Sequence, residues 1–213
     1  MGDTLPLLYS FRRCPYAMRA RMALLLNGKT VRLRELILRD KPEEMLEASP
    51  KGTVPVLVLP DGTVIDESLA VMEWAITTGE GALEAPTEDE RSLIDRNDGP
   101  FKHDLDRYKY PNRYDDVDPL AHRSSGAEFL STLNERLRSA GHLSAHTDGF
   151  ADIGIFPFVR QFRIADQAWF DAQDWPALHA WLDRHMTRDL FTKAMAKFPL
   201  WKETGEEVLF GDP

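Results

Sequence analysis

Two hydrophobic periods divide this chain, and the point where one of them gives out limits what it can fold into. Up to about Thr78, short apolar runs alternate with stretches of helical period; from Glu88 onward nothing alternates like a strand. Leu5 to Ser10 reads as a strand. Pro15 to Asn27 follows as a helix, with Met18, Met22, Leu25 and Leu26 at helical spacing and Gly28 to stop it. A second strand runs from Thr30 to about Leu36, and Pro42 to Ala48 makes a short helix with proline at its first position. Val56 to Leu59 and Thr63 to Ile65 are β-rich and joined by Pro60-Asp61-Gly62, a hairpin signal. Glu67 to Thr78 then presents Leu69, Met72 and Ile76 on one helical face. This order predicts an α/β domain over residues 1–78, built on a mixed four-stranded sheet.

Residues 79–87 are rich in Gly, Glu and small side chains and read as a linker; residues 88–213 read as an all-α domain. Gly99-Pro100 interrupts the first helical stretch, so a kink or two shorter helices is expected there. Phe129, Leu130, Leu133 and Leu137 mark an amphipathic helix ended by Gly141. Phe150 to Ile164 is apolar nearly all round, as a central buried helix is. Leu178, Trp181, Leu182 and His185 give one more stripe, and Leu190 to Phe198 is expected to close the bundle.

A net charge of −9 repels phosphate backbones and anionic lipid, which argues against nucleic acid or a membrane surface as partner. The longest apolar stretch, Met22 to Leu26, is far short of the ~20 residues of a membrane span. Met1-Gly2-Asp3-Thr4 lacks the basic flank and apolar core of a secretory signal. With a single cysteine, unable to form an internal disulfide, the chain reads as cytoplasmic.

That cysteine, Cys14, falls at the start of the first helix with Pro15 behind it. Backbone N–H groups and the positive end of the helix dipole favour a thiolate there, and Arg12 or Arg13 adds to the effect if it points inward. Position 17 is Ala17, so no second thiol stands at Cys-x-x-Cys spacing, and a redox cycle at Cys14 needs an external thiol. In a cytoplasm the abundant one is glutathione.

The string from Ser10 to Ala17 containing Cys14-Pro15-Tyr16, the run Thr53-Val54-Pro55-Val56-Leu57 and Asp66-Glu67-Ser68, in this order, resemble the glutathione-site motifs of cytosolic glutathione transferases, closest to the cysteine-containing omega-like group. The resemblance spans the chain and implies a thioredoxin-like first domain, a helical second domain and a homodimer. It also implies glutathione as co-substrate and no metal. On this reading Cys14 is catalytic, and Val54, before a cis bond to Pro55, pairs with the cysteinyl backbone of glutathione. Glu67 and Ser68 take its γ-glutamyl ammonium and carboxylate, Lys41 its glycine carboxylate, and Tyr16 shields the thiol. Taken alone, Glu-Ser at a helix start is a capping pair and Lys41 is solvent-facing.

The second substrate is then a small disulfide or an electrophile. Thiol transfer, deglutathionylation or a dehydroascorbate-type reduction through a Cys14–glutathione mixed disulfide leads; conjugation to an electrophile, and a non-enzymatic binding module on the same fold, are the alternatives. One departure is Gly149-Phe150-Ala151-Asp152, where the family usually has a Ser/Thr-x-x-Asp capping box; Asp152 keeps one arm of it by reaching the Gly149 N–H. The six histidines contain no His-Glu-x-x-His pattern, so zinc is not expected. Asp115-Asp116-Val117-Asp118 reads as a surface turn, and Tyr108, Tyr110 and Tyr114 with Lys102, Lys109 and Arg113 as the wall of an electrophile pocket.

Overall fold

The structure, a computed structural model, describes residues 5–145 and 147–211; the N-terminal stretch Met1 to Thr4 and His146 lie outside the described residues. In chain order the elements are β1 (Leu7–Ser10), α1 (Pro15–Leu26), β2 (Val31–Glu35), α2 (Glu43–Ala48), β3 (Val56–Val58), β4 (Val64–Ile65) and α3 (Ser68–Thr78). The helices α4 (Glu88–Arg96), α5 (Lys102–Lys109), α6 (Pro119–Ala140), α7 (Phe150–Ala165), α8 (Gln167–Asp171) and α9 (Pro176–Thr187) follow. The chain ends with α10 (Asp189–Ala194), α11 (Trp201–Thr204) and β5 (Val208–Phe210). Two units form: one runs up to Leu83 and resumes at Asp189, the other is Glu84–Arg188.

The sheet of the first unit has five strands, not the four expected, in the order β4-β3-β1-β2-β5. β1 and β2 are parallel, with Leu8 opposite Leu33; β1–β3, β3–β4 and β2–β5 are antiparallel. The tail supplies the fifth strand, pairing Val208 with Leu33, and α10 packs on α1, so Leu190 to Phe198 joins this unit instead of closing the helical one. A three-residue strand shows no period to read; only the open edge of β2 defines it.

α3 also buries a different stripe from the one expected. Ser68, Val71, Met72 and Ala75 are buried while Leu69 and Ile76 are half-buried, because α3 packs on the alanine-rich α1, where small side chains allow close approach. Pro42 precedes α2 as its cap, one residue earlier than expected. Gly81 serves contact more than flexibility: a Cβ there would stand 2.0 Å from the carbonyl oxygen of Leu26, so only glycine lets the chain close over the end of α1.

In the helical unit a capping box starts α4: Thr87 N–H donates to Glu90 Oε2 at 2.8 Å and Glu90 N–H to Thr87 Oγ1 at 3.3 Å. At Gly99 and Pro100 the stretch divides into two shorter α-helices, as expected, with a π turn over Asn97–Phe101 joining α4 to α5, its wider ring absorbing the missing proline N–H. α6 ends at Gly141, whose φ of 78° suits glycine. α7 is buried on almost every side, and Phe162 lies 5.4 Å from Phe101 and 5.0 Å from Tyr108 between ring centres. No helix among the described residues is long and apolar enough to cross a membrane.

Candidate active site

Cys14 caps α1 with extended backbone, φ −75° and ψ 124°, and its carbonyl accepts the first helical bond from the Met18 N–H at 2.9 Å. Its half-buried side chain turns to another element: Sγ donates to the carbonyl oxygen of Val54 at 3.7 Å. The Val54–Pro55 bond is cis, as the resemblance implied. Leu7, Tyr9, Ala17, Leu36, Met45, Val54 and Val56 form the apolar floor, with Phe11 and Cys14 at its border. Arg13 is exposed with its guanidinium over the Phe11 ring, 5.3 Å from the centroid.

Ser68 opens α3 and is buried, and its hydroxyl oxygen accepts from Arg19 Nε at 3.0 Å and from a second Arg19 nitrogen at 2.9 Å. The same guanidinium lies 5.1 Å from the ring centre of Tyr16, one turn earlier on α1. Glu67 is exposed and pairs with Lys51 at 2.6 Å; Lys51 also reaches Asp66 at 3.1 Å. The Ser49 hydroxyl, 2.7 Å away, and then Lys51 hold the Asp66 carboxyl below the usual carboxylate range despite partial desolvation. Lys41 lies along Gly52, where a Cβ would come 3.4 Å from its Nζ, which places the ammonium beside the loop leading into Thr53 and Val54.

Behind Cys14 lies a buried ion pair that the sequence reading missed. Arg21, with no exposed side-chain surface, pairs with Glu35 and donates to Ser10 Oγ at 2.8 Å and to the Ala194 carbonyl at 3.1 Å. Glu35 in turn accepts from the Arg12 backbone N–H at 2.8 Å, so the pair braces the loop that carries Cys14. Burial lowers the pKa of the Arg21 guanidinium, with Glu35 working against that shift. The signal was present: Arg19 and Arg21 alternate with Met18, Ala20 and Met22 in an otherwise apolar helix, where charges survive only when paired.

The expected pocket tyrosines are engaged in packing and stacking. Tyr108 is buried, Tyr110 lies under Arg113 at 4.1 Å, and Tyr114 under Arg107 at 4.4 Å.

A strand-first α/β unit with a helix-capping cysteine and a cis proline facing it, together with an all-helical unit, defines the class of thioredoxin-like proteins that carry a helical second domain. Within that class, the glutathione S-transferase N-terminal domain matches residues 8–82 and the glutathione S-transferase C-terminal domain residues 96–184. The chain belongs to the glutathione S-transferase family. It is similar to glutathione S-transferase omega-1 of Rattus norvegicus, 39% identical over 66 residues that make up 31% of this chain and 27% of that one. Pyrimidodiazepine synthase of Drosophila melanogaster is 27% identical over 197 residues, covering 85% of this chain and 76% of that protein. The chain thus spans little more than a quarter of the omega-1 relative it matches. Among solved structures, a glutathione S-transferase of Methylobacillus flagellatus with glutathione bound superposes with a TM-score of 0.78 at 20% identity, over 90% of this chain and 100% of that one. A Pseudomonas fluorescens family member with two glutathione bound gives 0.77 at 16% identity, over 90% and 92%. At these identities the likeness is one of fold.

Proposed function

We propose that the protein is a glutathione-dependent thiol transferase in which Cys14 forms a mixed disulfide with glutathione. The observation that carries this reading is the position of Cys14 Sγ, at the positive end of α1 and 3.7 Å from the carbonyl of Val54. In the unliganded site that carbonyl takes the thiol proton, which favours the neutral thiol. A glutathione docked with its cysteinyl N–H on the Val54 carbonyl competes for that acceptor, leaving the sulfur to the helix dipole as thiolate.

The tripeptide's other groups find partners of the right sign. Both acceptor sites of the Ser68 hydroxyl are filled by Arg19, so its proton is directed outward to donate to the γ-glutamyl carboxylate. Glu67 takes the γ-glutamyl ammonium in exchange for Lys51, Lys41 takes the glycine carboxylate, and Tyr16 shields the thiol. In the first step the Cys14 thiolate attacks the glutathionyl sulfur of a mixed disulfide; the S–S bond breaks and the other thiol leaves as thiolate, protonated by solvent. A second glutathione thiolate then attacks the glutathionyl sulfur held on Cys14, releasing oxidised glutathione and restoring the Cys14 thiolate. In the net exchange the substrate thiol is reduced at the expense of the one incoming glutathione, whose sulfur ends in oxidised glutathione beside the glutathionyl sulfur taken from the substrate.

A paired assay tests this reading: reduction of a glutathione mixed disulfide against conjugation of an electrophilic aromatic, for the native protein and Cys14→Ala. Native reduction lost in the variant, and one glutathione adduct on Cys14 by mass spectrometry after oxidised-glutathione treatment, are expected. Full reductase activity in Cys14→Ala overturns it, and conjugation without reduction replaces it with a transferase using glutathione's own sulfur. Absence of both activities and of glutathione binding leaves a binding module. The same reading places the protein in the cytoplasm as a homodimer, which sedimentation checks as twice the chain mass.

A further inference from the structure

His103 and Asp104 are neighbours on α5, and His122 lies in the first turns of α6, which packs along it. Asp104 Oδ1 stands 2.7 Å from His122 Nδ1 and 3.3 Å from His103 Nδ1. The imidazole centres are 5.3 Å apart and the rings are inclined at 64°. Asp104 Oδ2 is taken by the Ser125 hydroxyl at 2.6 Å, which leaves Oδ1 as the oxygen facing both rings.

We infer that His103, Asp104 and His122 form a binding site for zinc or a similar borderline divalent cation, with a fourth coordination position open to water on the exposed His103 side. Two imidazoles joined through Nδ1 to one tetrahedral ion at about 2.0 Å have their ring centres roughly 5 Å apart and neighbouring donor atoms about 3.3 Å apart. The ring spacing and the His103–Asp104 distance match this as they stand; the His122–Asp104 pair opens by about half an ångström when the ion replaces their hydrogen bond. Ser125 acts as the outer partner that orients a ligating carboxylate. The nearby Arg107 is turned to the Tyr114 ring and to the His103 backbone carbonyl.

A second grouping, His142, Asp148 and Asp152, offers no such site. Asp152 accepts from four N–H groups, those of Leu143, Ser144, Gly149 and the Trp181 indole, and Asp148 faces Arg184 and Arg188. The expectation of no zinc came from spacing along the chain; His103 and His122 meet only because α5 and α6 pack side by side.

The test uses the metal-stripped full-length protein at pH 7.5, competed for Zn²⁺ against a chromogenic chelator, for the native chain, His103→Ala, His122→Ala and Cys14→Ala. One zinc per chain with micromolar affinity is expected, weakened at least tenfold in each histidine variant and unchanged in Cys14→Ala. Zinc is also expected to raise the thermal midpoint of the native chain by about 5 °C at a hundredfold excess over Kd. No zinc retained, retention undiminished in both histidine variants, or retention lost in Cys14→Ala each overturns the site. His103 is exposed, so its truncation leaves packing intact and a loss there reads the metal.

Discussion

Buried charge at single residues decides how the cysteine loop is held. Arg21→Met removes the ion-pair partner of Glu35, a residue only 3% exposed, and is expected to cost about 3–5 kcal/mol in urea unfolding. Adding Glu35→Gln should recover part of that loss, since the uncompensated charge is gone. Arg19→Met acts on the proposed substrate site: with Ser68 no longer oriented, KM for glutathione should rise about tenfold with kcat changed less, because one hydrogen bond to a charged group is weakened. In the helical unit, Asp148 is pushed well below the usual carboxylate range. Burial opposes this, but the His185 imidazole 3.6 Å away and hydrogen bonds with Arg184 and His142 prevail. A depressed carboxyl stabilises the fold above its unfolded pKa of about 4, and that contribution is lost as pH falls through and below this value. Asp148→Asn should therefore lower stability at pH 7 and flatten the acid limb of the stability profile, measured by denaturation midpoints from pH 7 to 3.

At the scale of elements, α7 starts on Asp152 more than on its cap residue. The glycine in the capping frame was visible in the chain, and so was the surviving arm from Asp152 to the Gly149 N–H, observed at 3.1 Å. The further bonds to Leu143, Ser144 and Trp181 were not, because they join segments 8 to 29 residues apart. Asp152→Ala strips acceptors from four donors and is expected to cost at least about 3 kcal/mol, against about 1 kcal/mol for Thr87→Ala at the α4 cap. Calorimetry of the two variants checks the order. Helices α1, α6, α7 and α9 were legible because each repeats its period over enough residues, and β3 and β4 because β-rich residues flank the Pro60-Asp61-Gly62 turn. The α3 stripe was misread because the largest apolar side chains are not those that fit closest against α1.

For the whole molecule, the tail is the part whose place could not be foreseen. A chain ending at Arg188 loses β5, the Ala194 carbonyl that Arg21 donates to, and the Phe198 and Phe210 rings 5.8 and 5.6 Å from its guanidinium. Its thermal midpoint is expected to fall by about 10 °C or more, since a buried guanidinium is left exposed to water on one side and a sheet edge is uncovered. An unchanged calorimetric profile would show the tail to be dispensable.

Of the candidate site, Cys14 was readable from local chemistry, a thiol at a helix start, whereas Val54 and Pro55 came only from the resemblance of their motif to the family's. The braces Arg19–Ser68 and Arg21–Glu35 were not readable, since a charge in an apolar helix announces that it has a partner without saying which. Periodicity and capping chemistry act between neighbours along the chain, so the sequence alone determined the order of strands and helices, the helix that Cys14 opens and the family the motifs resemble. Which strand closes the sheet, which carboxylate answers each buried guanidinium, and which two histidines face one aspartate depend on contacts between distant segments, and only the packed structure decided them.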